Sequence, residues 1–237
     1  MKMLKPLLAL ALAACAFGAL AQEAAIRKNL GERIPQLKID EITRSPMPGL
    51  FEVRHGGSEI IYTDAEGNFL LQGNLIDTKQ RRNLTEERIE KLTAVAFDEL
   101  PLKDSFTIVR GNGKRKVAVF EDPNCGYCKR FERDLQKVDN VTVHMFLLPI
   151  LGRDSPEKSA NVWCAKDKAK AWTDMMVRDV NAPVATCEAA AGVLARNMAF
   201  ASKYKITGTP TLIFADGSRV PGAINAQQIE KFLAEAK

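Results

Sequence analysis

The chain has 237 residues, of which 46% are hydrophobic, 27% charged and 7% aromatic. This length fits one large domain or two small ones, and this composition excludes a disordered chain, a collagen-like chain and a polytopic membrane protein. The formal net charge of +5 falls to +3, with 32 basic against 29 acidic residues, when Lys2 and Lys5 are left out. Since no basic run is interleaved with aromatic residues, we expect no nucleic-acid partner.

The N-terminal segment predicts export. Met1–Lys5 is short and basic, Leu7–Ala21 carries no charge over fifteen residues, and Ala19-Leu20-Ala21 places small residues at the two positions that a signal peptidase reads. The run is shorter than the roughly 20 residues that span a bilayer, so we predict a cleavable signal peptide over residues 1–21. A buried N-terminal helix and a lipoprotein acylated at Cys15 are the alternatives, and the mass of the mature protein distinguishes cleavage from acylation.

Four cysteines remain after the predicted signal peptide: Cys125, Cys128, Cys164 and Cys187. An even number in an oxidising compartment indicates disulfides, and four cysteines allow three pairings. Because Cys125 and Cys128 form a Cys-x-x-Cys motif, the short spacing selects the pairing that leaves Cys164 and Cys187 to bond to each other.

Residues 22–81 are predicted to form a small β-rich domain that follows a short helix over Glu23–Leu30. Turns at Gly56-Gly57 and Glu66-Gly67-Asn68 separate strands that we predict over Leu37–Arg44, Leu50–Arg54, Glu59–Thr63 and Phe69–Ile76. A domain of about sixty residues buries too little of its surface to be robust alone, so we expect a dimerisation module. A monomeric domain is the alternative.

Residues 82–101 are predicted to be a linker helix. Asn83 and Glu86 fit a capping box at its start, helical spacing of apolar residues continues to Leu100, and Pro101 ends it. Such a helix acts as a spacer between two domains, or it packs on the second domain.

The second domain is predicted over residues 102–237. Strands over Phe106–Arg110 and Lys114–Phe120 are expected to pair as a hairpin around Gly111-Asn112-Gly113. Helices are then predicted over Cys125–Val138, Pro156–Val180, Thr186–Tyr204 and Asn225–Ala236, and strands over Val141–Leu148, Thr211–Phe214 and Ser218–Val220. Asn225 and Gln228 fit a capping box at the start of the last helix. This order is typical of an α/β domain, and with the β-rich first half it predicts an α+β protein.

The Cys-x-x-Cys motif carries the chemistry. Cys125 is predicted to begin a helix that follows a strand and a turn. The free N–H groups and the positive dipole at the start of a helix stabilise a thiolate over a thiol. The thiolate is the form of cysteine that attacks a disulfide. Gly126 and Tyr127 carry no charge, so we expect the helix terminus to be the main influence on Cys125. Cys128 lies about one turn further on, where it can attack the Cys125 sulfur and release a captured substrate.

The cysteine pair has two alternative interpretations. Half of a zinc site would need a second Cys-x-x-Cys or Cys-x-x-His, and the two histidines, His55 and His144, do not supply one. A structural staple over two intervening residues would restrain the unfolded chain little. We therefore predict no metal and no cofactor.

Several motifs of the chain, taken together, resemble those of one protein family. They are Gly73-Asn74-Leu75-Ile76-Asp77, Cys-Gly-Tyr-Cys itself, Gly208-Thr209-Pro210, and Asp216-Gly217 followed by Val220-Pro221-Gly222. Over essentially the whole mature chain, this set resembles the periplasmic disulfide isomerases of the DsbC type. The resemblance implies a periplasmic, V-shaped homodimer, joined through the N-terminal domains, with a thioredoxin-like catalytic domain and its helical insertion on each arm.

The resemblance also implies roles for residues and partners. Cys125 would attack misplaced disulfides of exported proteins, and a buried Cys128 would resolve the mixed disulfide. Substrate would contact Gly126, Tyr127, Thr209 and a cis-Pro210, and a membrane electron donor of the DsbD type would keep the pair reduced. Cys164 and Cys187 match the second, structural disulfide of the family. Asn124 and Lys129 depart from its pattern on either side of the motif.

The leading hypothesis is thus an enzyme, a thiol–disulfide isomerase that rearranges wrong disulfides. A DsbG-like reductase that rescues single oxidised cysteines is the near alternative, although that branch has proline where this chain has Gly126. A monomeric oxidant is a more distant one. A holdase chaperone without redox chemistry is the alternative from a different functional class.

Overall fold

The computed structural model describes residues 21–236. The predicted signal peptide, with Cys15, lies outside this range apart from its last residue. The chain divides into two compact units between Leu92 and Thr93. Across residues 21–236, every helix is too short or too polar to cross a membrane.

The first unit is a helix packed on an antiparallel sheet. Helix α1 covers residues 21–33, and strands β1 (Ile39–Arg44), β2 (Leu50–His55), β3 (Glu59–Asp64) and β4 (Leu70–Leu71) follow in the order β1-β2-β3-β4. Side chains alternate between the two faces of a strand, so one face of this sheet is apolar. That face contributes Ile42, Phe51, Val53 and Ile61, which pack against Ile26 and Leu30 of α1.

The predicted strand over Phe69–Ile76 is wrong in its extent. Only Leu70–Leu71 joins β3, and the next strand, β5 (Ile76–Asp77), pairs instead with β6 (Arg82–Asn83). The chain leaves the sheet after Leu71, and further along it the Leu75 N–H donates to the Thr85 hydroxyl at 2.8 Å.

The predicted linker helix over Asn83–Leu100 is also shorter than expected. Helix α2 covers Leu84–Thr93, and the Asn83 side chain accepts the Glu86 N–H at 3.2 Å, which is one half of the predicted capping box. Beyond it, the Val95 N–H donates to the Gly217 carbonyl at 3.1 Å, and Val95 and Leu100 enter a core of the second unit. Leu100, which was predicted to continue the apolar stripe of the helix, therefore lies beyond α2, outside any α-helix.

The start of α2 is fastened to the sheet of the first unit. Arg88 donates to Glu52 at 3.0 Å and to Glu41 at 2.8 Å, and the hydroxyls of Tyr62 and Thr85 are hydrogen-bonded at 2.6 Å. The Tyr62–Thr85 bond is buried and the two Arg88 bonds are part-buried.

The second unit has a mixed five-stranded sheet in the order β11-β10-β8-β9-β7. Its elements are short 3-10 turns at Phe97–Glu99 and Leu102–Asp104, strands β7 (Phe106–Arg110), β8 (Arg115–Glu121), β9 (Val141–Leu147), β10 (Thr211–Phe214) and β11 (Arg219–Pro221), and helices α3 (Gly126–Leu135), α4 (Ser155–Cys164), α5 (Lys168–Arg178), α6 (Ala189–Lys203) and α7 (Ala226–Glu235). The α+β prediction is confirmed, as is the Asn225–Gln228 capping box that begins α7.

Both faces of this sheet are buried. Along β8, Val117 and Val119 face one core and Ala118 and Phe120 face the other, as the two-residue period of a strand requires. This is why the strand reads as a continuous apolar run. The first core holds both Cys125 and Cys128, so the two cysteine side chains of the motif pack in the interior of the unit.

The predicted hairpin of β7 and β8 is wrong. Strand β9 lies between them, parallel to β8 and antiparallel to β7. The Gly111 turn therefore wraps around the start of β9, where Gly111 has φ 54° and a side chain on it would collide with Asp139 and Asn140. Strand β9 pairs with both β7 and β8, and a local hairpin signal does not show that a third strand enters between its two arms.

The helical insertion has one break and one shifted boundary that the sequence did not predict. Predicted as one helix over Pro156–Val180, it is divided into α4 and α5, because Asp167 caps α5 by accepting the Lys170 N–H at 2.9 Å. Helix α6 begins at Ala189, later than the predicted Thr186. The Cys164–Cys187 disulfide closes a loop over a sequence separation of 23, which corresponds to about 3 kcal/mol of stabilisation in the chain-entropy model.

Candidate active site

The turn between β8 and α3 is held in place by the buried Asp122. Its carboxylate accepts hydrogen bonds from the N–H groups of Asn124 (2.7 Å), Ile150 (2.6 Å) and Leu151 (2.9 Å) and from the Ser155 hydroxyl (2.9 Å). Its carbonyl accepts the Cys125 N–H at 3.0 Å. These bonds satisfy a carboxylate with no exposed surface, and they set the point at which α3 begins.

Cys125 is the N-cap residue of α3. Its backbone is extended, and its sulfur accepts the Cys128 N–H at 3.0 Å. An N-cap side chain satisfies one of the free amides at a helix start, a place usually taken by an oxygen of Ser, Thr, Asp or Asn. Here a sulfur takes that position, so the helix itself stabilises negative charge on the thiol.

The pKa of Cys125 is lowered to about 6. The largest cause is a hydrogen bond from the Cys128 thiol; the Thr209 side chain and the N–H groups of Cys128 and Tyr127 add to it, and burial opposes it. The predicted influence of the helix terminus is therefore present, but the neighbouring thiol ranks ahead of it. Cys128 therefore acts on the pKa of Cys125 in addition to its predicted role as the second nucleophile.

Cys125 is nearly covered, with 2% of its surface exposed against none for Cys128. The burial of Cys128 agrees with what the family resemblance implies, and Cys125 is the more exposed of the two by a small margin. Its thiol lies just beneath the surface, because Gly126 and Tyr127 are both exposed and a Cβ on Gly126 would meet nothing within 4 Å. A partner can thus approach the sulfur over these two residues.

Cys128 has the opposite electrostatic character. Burial is the largest cause that raises the pKa of its thiol, and the hydrogen bond to Cys125 and the nearby Glu121 raise it further. One sulfur of the pair is therefore anionic near neutral pH and the other is a thiol. Thiol–disulfide exchange uses this asymmetry, because one thiolate attacks the substrate disulfide and a second thiol later releases the substrate from the mixed disulfide.

Thr209, which precedes Pro210 and is far from the motif in sequence, contacts Cys125. The Thr209–Pro210 peptide bond is cis, and the Cys125 thiol donates to the Thr209 carbonyl at 3.3 Å. The fold thus brings together the two segments that the sequence analysis assigned to one site. The Gly222 N–H donates to the Pro210 carbonyl at 2.8 Å, which ties this segment to the end of β11.

The remaining predicted residues have distinct surroundings. Tyr127 is 69% exposed beside the motif. The Asn124 side chain donates to Asp154 and Ser155, both at 2.8 Å, and accepts from Lys158 at 2.6 Å. Lys129 forms an ion pair with Asp179. These two departures from the family pattern therefore engage the helical insertion.

Two buried acids near the motif were missed by the sequence analysis. Glu121 ends β8 and Glu132 lies on α3, and neither has any exposed surface. Burial is the largest cause that raises the pKa of each carboxyl. A polar residue that directly follows a wholly apolar strand is a signal that could have found Glu121, and the spacing of four from Cys128 could have found Glu132.

No cluster of three or more His, Cys, Asp or Glu side chains within residues 21–236 is arranged to hold a metal ion. His144 lies on β9 with its ring edge-on to Phe97, at a centroid distance of 5.8 Å. Burial lowers the pKa of His144, so it is a neutral packed side chain near pH 7.

Comparison with known proteins identifies the family. A model described as a thioredoxin-like domain matches residues 102–237, and one described as the N-terminal domain of disulfide bond isomerase proteins matches residues 17–86. The "Probable thiol:disulfide interchange protein DsbC" of Bordetella parapertussis is 43% identical over 209 residues, which cover 88% of this chain and 73% of the relative. The chain belongs to the DsbC family.

More distant relatives agree with this membership. The "Thiol:disulfide interchange protein DsbC" of Escherichia coli K12 is 29% identical over 231 residues, which cover 94% of this chain and 92% of the relative. A disulfide interchange protein from Neisseria gonorrhoeae, whose crystal structure is known, has a TM-score of 0.54 and 36% identity, covering 58% of this chain and 98% of that one. The predicted family, the thioredoxin-like second domain and the enzyme class, a thiol:disulfide oxidoreductase, are confirmed.

Proposed function

We propose that this member of the DsbC family is a periplasmic disulfide isomerase that rearranges wrong disulfides in exported proteins through Cys125 and Cys128. The observation that carries the proposal is the sulfur of Cys125 at the N-cap of α3, with its pKa lowered to about 6, in contact with a fully buried Cys128. At neutral pH, Cys125 is a thiolate that can attack a substrate disulfide, and the buried Cys128 remains a thiol until it attacks the mixed disulfide.

The reaction proceeds by two exchanges. The Cys125 thiolate attacks one sulfur of a substrate disulfide, the S–S bond breaks, and the other substrate sulfur leaves as a thiolate. That thiolate, or another on the substrate, attacks a sulfur of a different bond, and a final attack on the mixed disulfide frees Cys125 with the substrate rearranged. When no such attack comes, Cys128 attacks Cys125, and the substrate leaves reduced by two electrons.

Substrate positioning is assigned to residues that surround Cys125. Gly126 adds no side chain above the sulfur, Tyr127 offers an exposed ring, and Thr209 and Pro210 border the thiol on its other side. A reduced pair is needed for each round of isomerisation. We therefore assign a membrane electron donor of the DsbD type as the partner that restores Cys125 and Cys128 after oxidation, with export by the predicted signal peptide.

The test is Cys125→Ala in the refolding of scrambled ribonuclease. We expect complete loss of isomerase activity, because no other described cysteine is both unpaired and anionic near neutral pH. A holdase chaperone would keep its effect on refolding in this variant, which would overturn the proposal. A DsbG-like reductase would leave scrambled ribonuclease unchanged even as wild type, while still reducing a sulfenylated single cysteine.

The first unit has a surface that fits a second copy of the chain. The side chains of Phe69 (75%), Leu70 (44%), Leu71 (51%) and Met47 (55%) are exposed around a groove of about 600 Å³ next to β4. Strand β4 is the last strand of its sheet and pairs only with β3 among the described strands. Exposed apolar side chains at an open sheet edge favour association, so we assign this groove to a homodimer interface.

We expect Phe69→Asp to convert the dimer to a monomer. A charge placed among apolar side chains must be desolvated when two copies meet, whereas the exposed side chain of Phe69 contributes little to the fold of one protomer. Light scattering after size exclusion measures the mass. Val109→Asp, at a side chain 60% exposed on β7, is the matched control and should stay dimeric. A wild type that is monomeric at all concentrations would contradict the assignment.

A further inference from the structure

Asn124, the residue directly before Cys125, has a side chain that the exchange described above does not use. Its amide nitrogen donates to the Asp154 carboxylate and to the Ser155 hydroxyl, both at 2.8 Å, and its amide oxygen accepts from the Lys158 ammonium at 2.6 Å. An amide nitrogen has two protons to donate, and both are used here. The three partners lie at the start of α4, so this single side chain joins the cysteine motif to the helical insertion.

The Asn124 amide also packs closely against the loop that precedes α4. A Cβ built on Gly152 would lie 2.7 Å from the amide nitrogen of Asn124 and 3.0 Å from a carboxylate oxygen of Asp154. The φ of Gly152 lies outside the left-handed region, so this close approach is what favours glycine here. Any larger residue at position 152 has to displace the amide.

The hydrogen bonds of Asn124 continue through Ser155 to the backbone of the motif. The Ser155 hydroxyl accepts from Asn124 and from the Gly152 N–H, the latter at 3.1 Å, and it donates to a carboxylate oxygen of Asp122 at 2.9 Å. The Asp122 carboxylate accepts the Asn124 N–H at 2.7 Å, and the Asp122 carbonyl accepts the Cys125 N–H at 3.0 Å. Ser155 and Asp122 have no exposed surface. One closed set of bonds thus holds Asn124 by both its backbone and its side chain.

The position of this turn matters for Cys125 because hydrogen bonds are directional. The Cys125 sulfur accepts the Cys128 N–H at 3.0 Å, with the Cys125 backbone extended at φ −78° and ψ 110°. Such a bond weakens steeply when its angle becomes unfavourable. Hydrogen bonds from the thiol and the N–H of Cys128 lower the pKa of Cys125, so a rotation of the turn that lengthens them raises this pKa.

The charges around the turn indicate that Asn124 acts through position and not through charge. Lys158 forms an ion pair with Asp154 at 2.8 Å, so the two opposite charges that Asn124 contacts compensate each other. Further charged or titratable groups next to the motif are Glu121, Asp122, Cys128, Lys129 and Asp179. Replacement of the neutral Asn124 side chain removes none of these charges. Its effect on Cys125 therefore comes from geometry.

We propose that Asn124 is a positioning residue for the attacking sulfur: by tying the turn to α4, it holds Cys125 in the orientation in which the first amides of α3 reach the thiolate. The helical insertion thereby helps to set the reactivity of the cysteine motif, although it contributes no reacting atom. This inference rests on the proposed function, because it takes Cys125 as the residue that attacks the substrate.

The test is the pH dependence of Cys125 alkylation in the reduced full-length mature protein with Asn124→Ala. We expect the inflection to move upward from about 6 by roughly one pH unit, a tenfold loss of thiolate stability, while the plateau rate stays within about twofold of wild type. Isomerisation of scrambled ribonuclease should then fall about fivefold at pH 6 and hardly at all at pH 8, because the thiolate fraction changes mainly near the inflection.

Two further variants separate positioning from a general loosening of the insertion. Asn161→Ala removes a buried α4 amide that accepts the Ala185 N–H at 3.1 Å. It should lower the melting temperature and leave the inflection at about 6. Gly152→Ala should move the inflection upward, since its Cβ displaces the Asn124 amide, and it should add little to the shift in the double variant, where that amide is absent.

An inflection that stays near 6 in Asn124→Ala would overturn the proposal, as would an equal upward shift in Asn161→Ala. Additive shifts in the double variant would contradict a route through the Asn124 amide. If Asn124→Ala does not fold, Gly152→Ala decides in the same assay, and an unchanged inflection there is the contrary result. A wild-type inflection near 8.5 would instead refute the activated thiolate of the proposed function.

Discussion

Cys128→Ala is expected to accumulate mixed disulfides between Cys125 and its substrates, to near-stoichiometric levels where wild type shows almost none. The attacking thiolate is kept, but the buried thiol that releases a stalled substrate is gone. Non-reducing gels of the variant, incubated with scrambled ribonuclease, should show a heavier band that disappears on reduction. The double variant that also carries Cys125→Ala is the control and should show no such band.

The structure adds a condition to this experiment. The hydrogen bond from Cys128 is the largest cause that lowers the pKa of Cys125, so its removal raises that pKa above about 6. The trap should therefore form faster at pH 8 than at pH 6. If no mixed disulfide forms at either pH, Cys128 is not the resolving residue.

The second large effect is the pH dependence of alkylation in the reduced wild-type protein. Only the thiolate reacts, so the rate at Cys125 should rise with pH through an inflection at about 6 and level off above it. At pH 7, roughly 90% of Cys125 is then ionised, against about 3% of an ordinary cysteine with a pKa of 8.5. Mass spectrometry of the labelled protein should place the label on Cys125 and leave Cys128 unmodified.

The matched control for this profile is Cys128→Ala, whose inflection should move upward because the largest stabilising hydrogen bond is lost. A wild-type inflection near 8.5 would contradict the activated thiolate. Equal labelling of the two cysteines would contradict the division of roles, since burial raises the pKa of Cys128.

The two cysteines owe their difference to position within one short motif. Cys125 sits where α3 begins, so free amides and a neighbouring thiol surround its sulfur. Cys128 lies one turn later on the inner face of the same helix, where burial dominates. Three residues of separation are enough because the electrostatic effect of a helix terminus falls off within its first turn.

Local patterns predicted much of the fold correctly. Strands β2 and β3 and their turn followed from alternation and glycine signals, and α7 followed from the capping residues Asn225 and Gln228. In each case the residues that decide the element are neighbours in sequence. Where the structure differed, the deciding contact was distant: the Gly217 carbonyl takes the Val95 N–H beyond the end of α2, and β9 separates β7 from β8.

The sequence alone predicted the cysteine motif, its place at a helix start and the Thr-Pro segment, because each depends on a few consecutive residues. The sequence alone could not show that Thr209 contacts Cys125, or that the Cys128 thiol lowers the pKa of Cys125 more than the backbone amides do. It also could not show that Glu121 and Glu132 are both fully buried. Those facts arise when segments far apart in sequence pack and exclude water. Desolvation and long-range contacts have no local pattern, so only the tertiary structure decides them.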